Sequence, residues 1–171
     1  MKQDVSVVHA SGSVPGMKSG LILMLFAGSV ATVVFDIWGQ VISPGPLHWA
    51  SLAPVPLATQ TVEVLFGVHS SIAGNFMHLF LVGLLAYPFG YIYIFRPIVE
   101  RFVPGLPWWL TSAIYGFGLF LVAIGIVAGP LVAGNPWFLN WTDITWVAMI
   151  GHTLYGVVCG ACVEYLEAHG V

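Results

Sequence analysis

Four runs of about twenty consecutive apolar residues, close to 20–42, 72–94, 109–132 and 144–165, limit this chain to one class of fold. A helix rising about 1.5 Å per residue needs about 20 such residues to cross a hydrocarbon core. Inside a bilayer every backbone N–H and C=O must be paired within the segment, which leaves the α-helix as the form such a run can take. The expected fold is therefore all-α, an integral-membrane bundle of four transmembrane helices. Composition agrees, because 58% of the 171 residues are hydrophobic and 6% are charged, against about 25% charged in ordinary soluble domains. Residues 1–19 read as a polar cytoplasmic tail, 20–165 as the membrane domain and 166–171 as a short second tail. The run after Lys18 is longer than a signal-peptide core and lacks a small-x-small cleavage site, so it reads as a retained anchor.

The stretch 47–68 is apolar on average but carries Pro54, Pro56, Gln60 and Glu63. It is expected to lie at the interface, with Leu57, Val62, Leu65 and Phe66 toward lipid or protein. Arg96, Pro97, Glu100, Arg101 and Pro104 are expected to form a turn-rich connection, and Pro88 to kink the second span near its end. All four basic residues, Lys2, Lys18, Arg96 and Arg101, fall on one side of a four-span topology. Lys and Arg are enriched in loops that stay in the cytoplasm, so both termini are expected there, in what reads as a bacterial inner membrane. Trp38, Trp49, Trp137, Trp141 and Trp146 then form an outer aromatic belt, and Trp108 and Trp109 an inner one.

Lipid tails are as apolar as leucine, so helices associate through close contact at small residues. The last span carries Ala148, His152, Gly156, Gly160 and Glu164 at steps of four, which places them on one face. Gly74, His78, Val82, Ala86 and Gly90 repeat that step in the second span, and Gly125 and Gly129 make a small-xxx-small pair in the third.

Aligning the spans by depth puts Asp36, His78 and His152 in one layer, roughly 9 to 12 Å below the outer boundary. Thr32 and Gln40 extend a polar stripe from Asp36 that also includes Ser29, while Ser71 and Asn75 share the face of His78. A charge facing lipid is costly, so this layer should face protein or a wet cavity. Three readings are open. The groups hydrogen-bond one another and set helix register. Alternatively, His78 and His152 ligate a transition metal or the iron of a b-type haem, with Asp36 beside them and with Gly74 and Gly156 leaving room for a macrocycle. In the third reading the cluster exchanges protons, as in a quinone site, and His69 and Glu63 extend the route outward.

Cys159 and Cys162 have redox-pair spacing but lie deep in a helix, far from the helix N-terminus that stabilises a thiolate, and read as small packing residues. No nucleophile elbow, phosphate-binding glycine loop or HExxH pattern is present, and four scattered basic residues cannot track nucleic acid. The stretch Gly151-His152-Thr153-Leu154-Tyr155-Gly156 resembles the His-x-x-Tyr-Gly stretch of a group of uncharacterised four-helix bacterial inner-membrane proteins. The resemblance implies the four-helix architecture and a role for His152. The expected function is a non-enzymatic subunit or accessory protein of a larger membrane assembly, bound to lipid and to other subunits or copies of itself. The alternative is a redox or proton-handling protein that binds haem, metal or quinone.

Overall fold

The computed structural model describes residues 15–132 and 137–171; Lys2 and the rest of the expected tail up to residue 14 lie outside it. The described residues contain helices and no strands, with four helices long and apolar enough to span a membrane. They are α1 (Met17–Ile42), α3 (Ser71–Phe102), α4 (Trp108–Leu131) and α5 (Asp143–Ala168), and a fifth helix, α2 (Pro54–Phe66), joins the first pair. Helix α5 lies between α1 and α4, and α1 also packs on α3.

Within the segment expected at the interface, residues Pro54–Phe66 form a helix that packs on the bundle. Ala53 is extended, as the residue before a proline prefers, and Pro54 and Pro56 occupy the first turn of α2, where a missing N–H costs no hydrogen bond. Gly67 ends α2 at φ 70°, with its N–H bonded to Glu63 O, and Ser70 Oγ caps the next helix by accepting from Ala73 N at 3.3 Å. The corner seats Thr59 and Val62 in the protein interior, while Leu65 and Phe66 stay exposed. A Cβ on Gly74 would collide with the Thr59 backbone, so this glycine is the contact between α2 and α3.

The expected turn over Arg96–Pro104 is largely helical. Helix α3 continues to Phe102 and the chain turns only at 103–107. Much of α3, and α4 from Leu121 on, is wound in wide i→i+5 turns, at Met77–Ala86, Gly90–Phe95 and Leu121–Leu131. Each run contains a proline or stands within two residues of one: Pro88, Pro97 and Pro130. A proline ring clashes with the carbonyl four residues back, and a wider turn moves that carbonyl away. The winding also changes which residues share a face. In α3 the buried positions after Gly74 are Gly83, Pro88, Tyr91 and Ile92, so the four-step ladder through Val82, Ala86 and Gly90 does not form the buried face. In α5, which is regular, Ala148, His152, Gly156 and Gly160 are all buried.

Close approach of α4 and α5 depends on glycine. A Cβ on Gly156 would strike the Ser112 carbonyl and Gly116, and one on Gly160 would strike Ser112 Oγ. Gly125 and Gly129 are buried in α4. At the end of the bundle that carries the basic residues, Arg96 ties α3 to α5. Its guanidinium meets both oxygens of Glu167 at 2.9 Å, Glu164 at 3.4 Å and Glu100 of its own helix at 2.8 Å. At the opposite end Trp38 Nε1 donates to Val147 O at 2.9 Å, which joins α1 to α5, and Ser43 Oγ donates to Ala50 O, which fixes the loop that follows α1.

Candidate functional site

Two of the three ionisable residues of the expected layer are bonded to each other. His78 Nε2 donates to Asp36 Oδ1 across 3.0 Å, joining α3 to α1, and both side chains are mostly buried. His152 is separate. Its Nδ1 donates to the carbonyl of Ala148 one turn back in α5, at 2.7 Å. Phe35 stands beside both imidazoles, its ring centroid 5.0 Å from that of His152 and 6.2 Å from that of His78.

His78 and His152 line one cavity of about 190 Å³ walled by residues of α1, α2, α3, α4 and α5. Thr32 of α1, Leu57 of α2, His78 of α3, Ile124 of α4, and His152 and Tyr155 of α5 contribute to its wall, which is predominantly apolar. Leu52, held by its N–H to Gly39 O at 2.8 Å, also belongs to the wall. One polar atom in the wall is unmatched. Thr32 Oγ1 is buried and makes no hydrogen bond of normal geometry, the Tyr155 hydroxyl being its near neighbour.

Tyr155 of the His-x-x-Tyr-Gly stretch lines the cavity, and Tyr115 makes a matching contact outside it. Tyr155 donates to Gly83 O at 2.6 Å and Tyr115 to Tyr87 O at 2.5 Å, both on α3. The reason lies in α3 itself. Tyr87 N–H bonds to Val82 O, five residues back, so the next bond of that ladder would run from residue 88 to Gly83 O. Residue 88 is proline and has no N–H, and an unpaired carbonyl in the membrane interior is costly. The Tyr155 hydroxyl supplies the missing donor. Pro88 was the available signal, because a proline within a span announces a free carbonyl one turn earlier.

The other residues marked in the sequence are placed elsewhere. Gln40, Asn75, Ser29 and Ser71 are exposed on the outside of the bundle. His69 Nδ1 and Glu63 Oε2 pair with each other at 2.6 Å on the surface, away from the cavity. Gly74 faces Thr59 and Gly156 faces Ser112 and Gly116, so neither opens space beside a histidine as the macrocycle reading required. Cys159 is buried and Cys162 partly so, both as free thiols. Among the described residues, no three His, Cys, Asp or Glu side chains converge to hold a metal ion. No family model, curated protein or solved structure matches the chain.

Proposed function

We propose that this chain is a non-enzymatic, multi-pass component of a bacterial inner membrane that holds a lipid-soluble small molecule in the cavity between its helices. The observation that carries this function is the cavity itself, a largely apolar pocket whose wall includes His78, His152 and Thr32. Its volume of about 190 Å³ lies below the range of about 300 to 1,000 Å³ typical of drug-sized ligands, and a haem is larger still. A small ring or the head of a longer molecule is the better match. The charge asymmetry supports cytoplasmic termini, with the Arg96 end inward. Helix α3, the least buried of the four spans, offers a large apolar face to lipid or to partner subunits of an assembly.

A proton-handling role is the second reading, and the Asp36–His78 pair favours it, because a bonded acid and imidazole at membrane depth can exchange a proton with a bound ligand.

The test is occupancy. Protein purified in mild detergent with its native lipids should carry a co-purifying apolar molecule near one per chain in native mass spectrometry. Ala123→Phe, which fills the cavity, should lose it while far-UV circular dichroism is unchanged. Equal retention in both proteins, or an empty wild type that no small aromatic compound stabilises, would overturn the binding function.

A further inference from the structure

We infer that the cavity selects a ligand bearing a hydroxyl group, an alcohol or phenol, over one bearing only carbonyl or ether oxygens. This rests on the binding function proposed above and concerns what the polar groups of the wall can accept and offer.

Ala148 O can only accept, so the proton of His152 bonded to it must sit on Nδ1. An imidazolium here would be a charge buried without an anion bonded to it, which is costly, so the ring is neutral and Nε2 is a bare lone pair. None of the described residues donates to that nitrogen, and His152 belongs to the cavity wall. His78 differs, because its Nε2–H is given to the Asp36 carboxylate, so the acceptor in the wall that stands without a donor is His152 Nε2.

Thr32 supplies the complement. Its hydroxyl is buried in the same wall and makes no hydrogen bond of normal geometry, with the Tyr155 hydroxyl its near neighbour, so it can turn its proton to a ligand. A ligand hydroxyl is the group that meets both demands, donating to His152 Nε2 and accepting from Thr32 Oγ1. A ketone, quinone or ether can accept from Thr32 but leaves the imidazole unmatched, and a hydrocarbon leaves both. Leaving a buried polar group unpaired is what makes a hydrogen-bonding site reject an analogue that lacks the group. The remaining wall, with Leu57, Val82, Ala123 and Ile124, fits an apolar body behind the hydroxyl.

The experiment uses the full chain in detergent and three probes of similar size: 4-propylphenol, 4-propylanisole and 4-propylcyclohexanone. Isothermal titration against wild type is corrected by the same titration against Ala123→Phe, which removes the contribution of micelle partitioning. The phenol should bind about tenfold or more tightly than the anisole or the ketone, the effect of one buried unmatched acceptor. In His152→Phe the phenol should lose that advantage while the anisole binds as before, and in Thr32→Val phenol and anisole should weaken together. Circular dichroism and melting of each variant distinguish this from unfolding. Should anisole or ketone bind wild type as well as phenol does, the hydroxyl preference is wrong and the binding function stands. Should none of the three bind above the Ala123→Phe blank, both are wrong.

Discussion

Tyr155→Phe removes one hydroxyl and leaves the ring packing intact, and its effect should depend on a residue of another helix, Pro88 of α3. In the native protein the hydroxyl donates to Gly83 O at 2.6 Å, and Tyr155 is 3% exposed, so no water replaces it. Deleting the donor strands a buried carbonyl. That costs about 1 to 3 kcal/mol in soluble proteins, and interhelical hydrogen bonds in membranes fall near the lower end, about 0.6 to 1.7 kcal/mol. A loss of about 1 kcal/mol is therefore expected for Tyr155→Phe. Pro88→Ala restores an N–H where the wide-turn ladder calls for one, facing Gly83 O. That variant loses the contact of the Pro88 ring with Gly28 and so carries a cost of its own. In its background, however, Tyr155→Phe should cost close to zero, because the carbonyl has regained a backbone donor. The coupling in the double-mutant cycle should thus be about 1 kcal/mol. Reversible unfolding in mixed micelles, followed by far-UV circular dichroism, gives all four stabilities. If Tyr155→Phe costs as much in the Pro88→Ala background as in wild type, the hydroxyl is not replacing the proline's missing N–H, and the account of the α3–α5 contact fails.

Other expectations concern packing, charge and orientation. Gly156→Leu and Gly160→Leu should each separate α4 from α5 and lower the midpoint of detergent unfolding strongly, whereas Gly118→Leu, with open space where its Cβ would stand, should change it little; equal effects at all three positions would refute the glycine contact. Arg96→Gln leaves Glu100, Glu164 and Glu167 without their shared cation and should cost about 2 kcal/mol, while Arg101→Gln, exposed beyond that cluster, should cost almost nothing; the comparison is read in the same unfolding assay. High salt should reduce the Arg96 effect in part, since its carboxylates are partly exposed. A phosphatase reporter fused near Pro54 should be active outside the cytoplasm and one after Val171 inactive, and the reverse pattern would invert the topology.

Much of the architecture could be read from residues alone because the bilayer imposes one requirement, internal pairing of every backbone group, that four apolar runs can meet only as helices. The buried face of α5 was legible for a related reason. That helix is regular, so Ala148, His152, Gly156 and Gly160 stack on one side at steps of four. In α3 the same arithmetic does not hold, because winding around Pro88 and Pro97 brings residues five apart together, and turn width follows from how proline rings are accommodated by neighbouring helices. Helix α2 was hidden for a different reason. Pro54 and Pro56 look like breakers in a linear reading and become a helix start only where the chain turns back onto the bundle.

Residue type marked Asp36, His78 and His152 as groups too costly to leave in lipid. Depth could be estimated by counting residues from a span's end, but azimuth could not, and azimuth decides partners. Tertiary structure alone joined Asp36 to His78, turned His152 back onto Ala148, set Phe35 beside both rings, and directed Gln40 and Asn75 outward. The cavity likewise exists only between helices. Its shape depends on where α2 seats and how far α4 and α5 approach, and those are determined by the fit of Gly74 against Thr59 and of Gly156 against Ser112 rather than by any single segment.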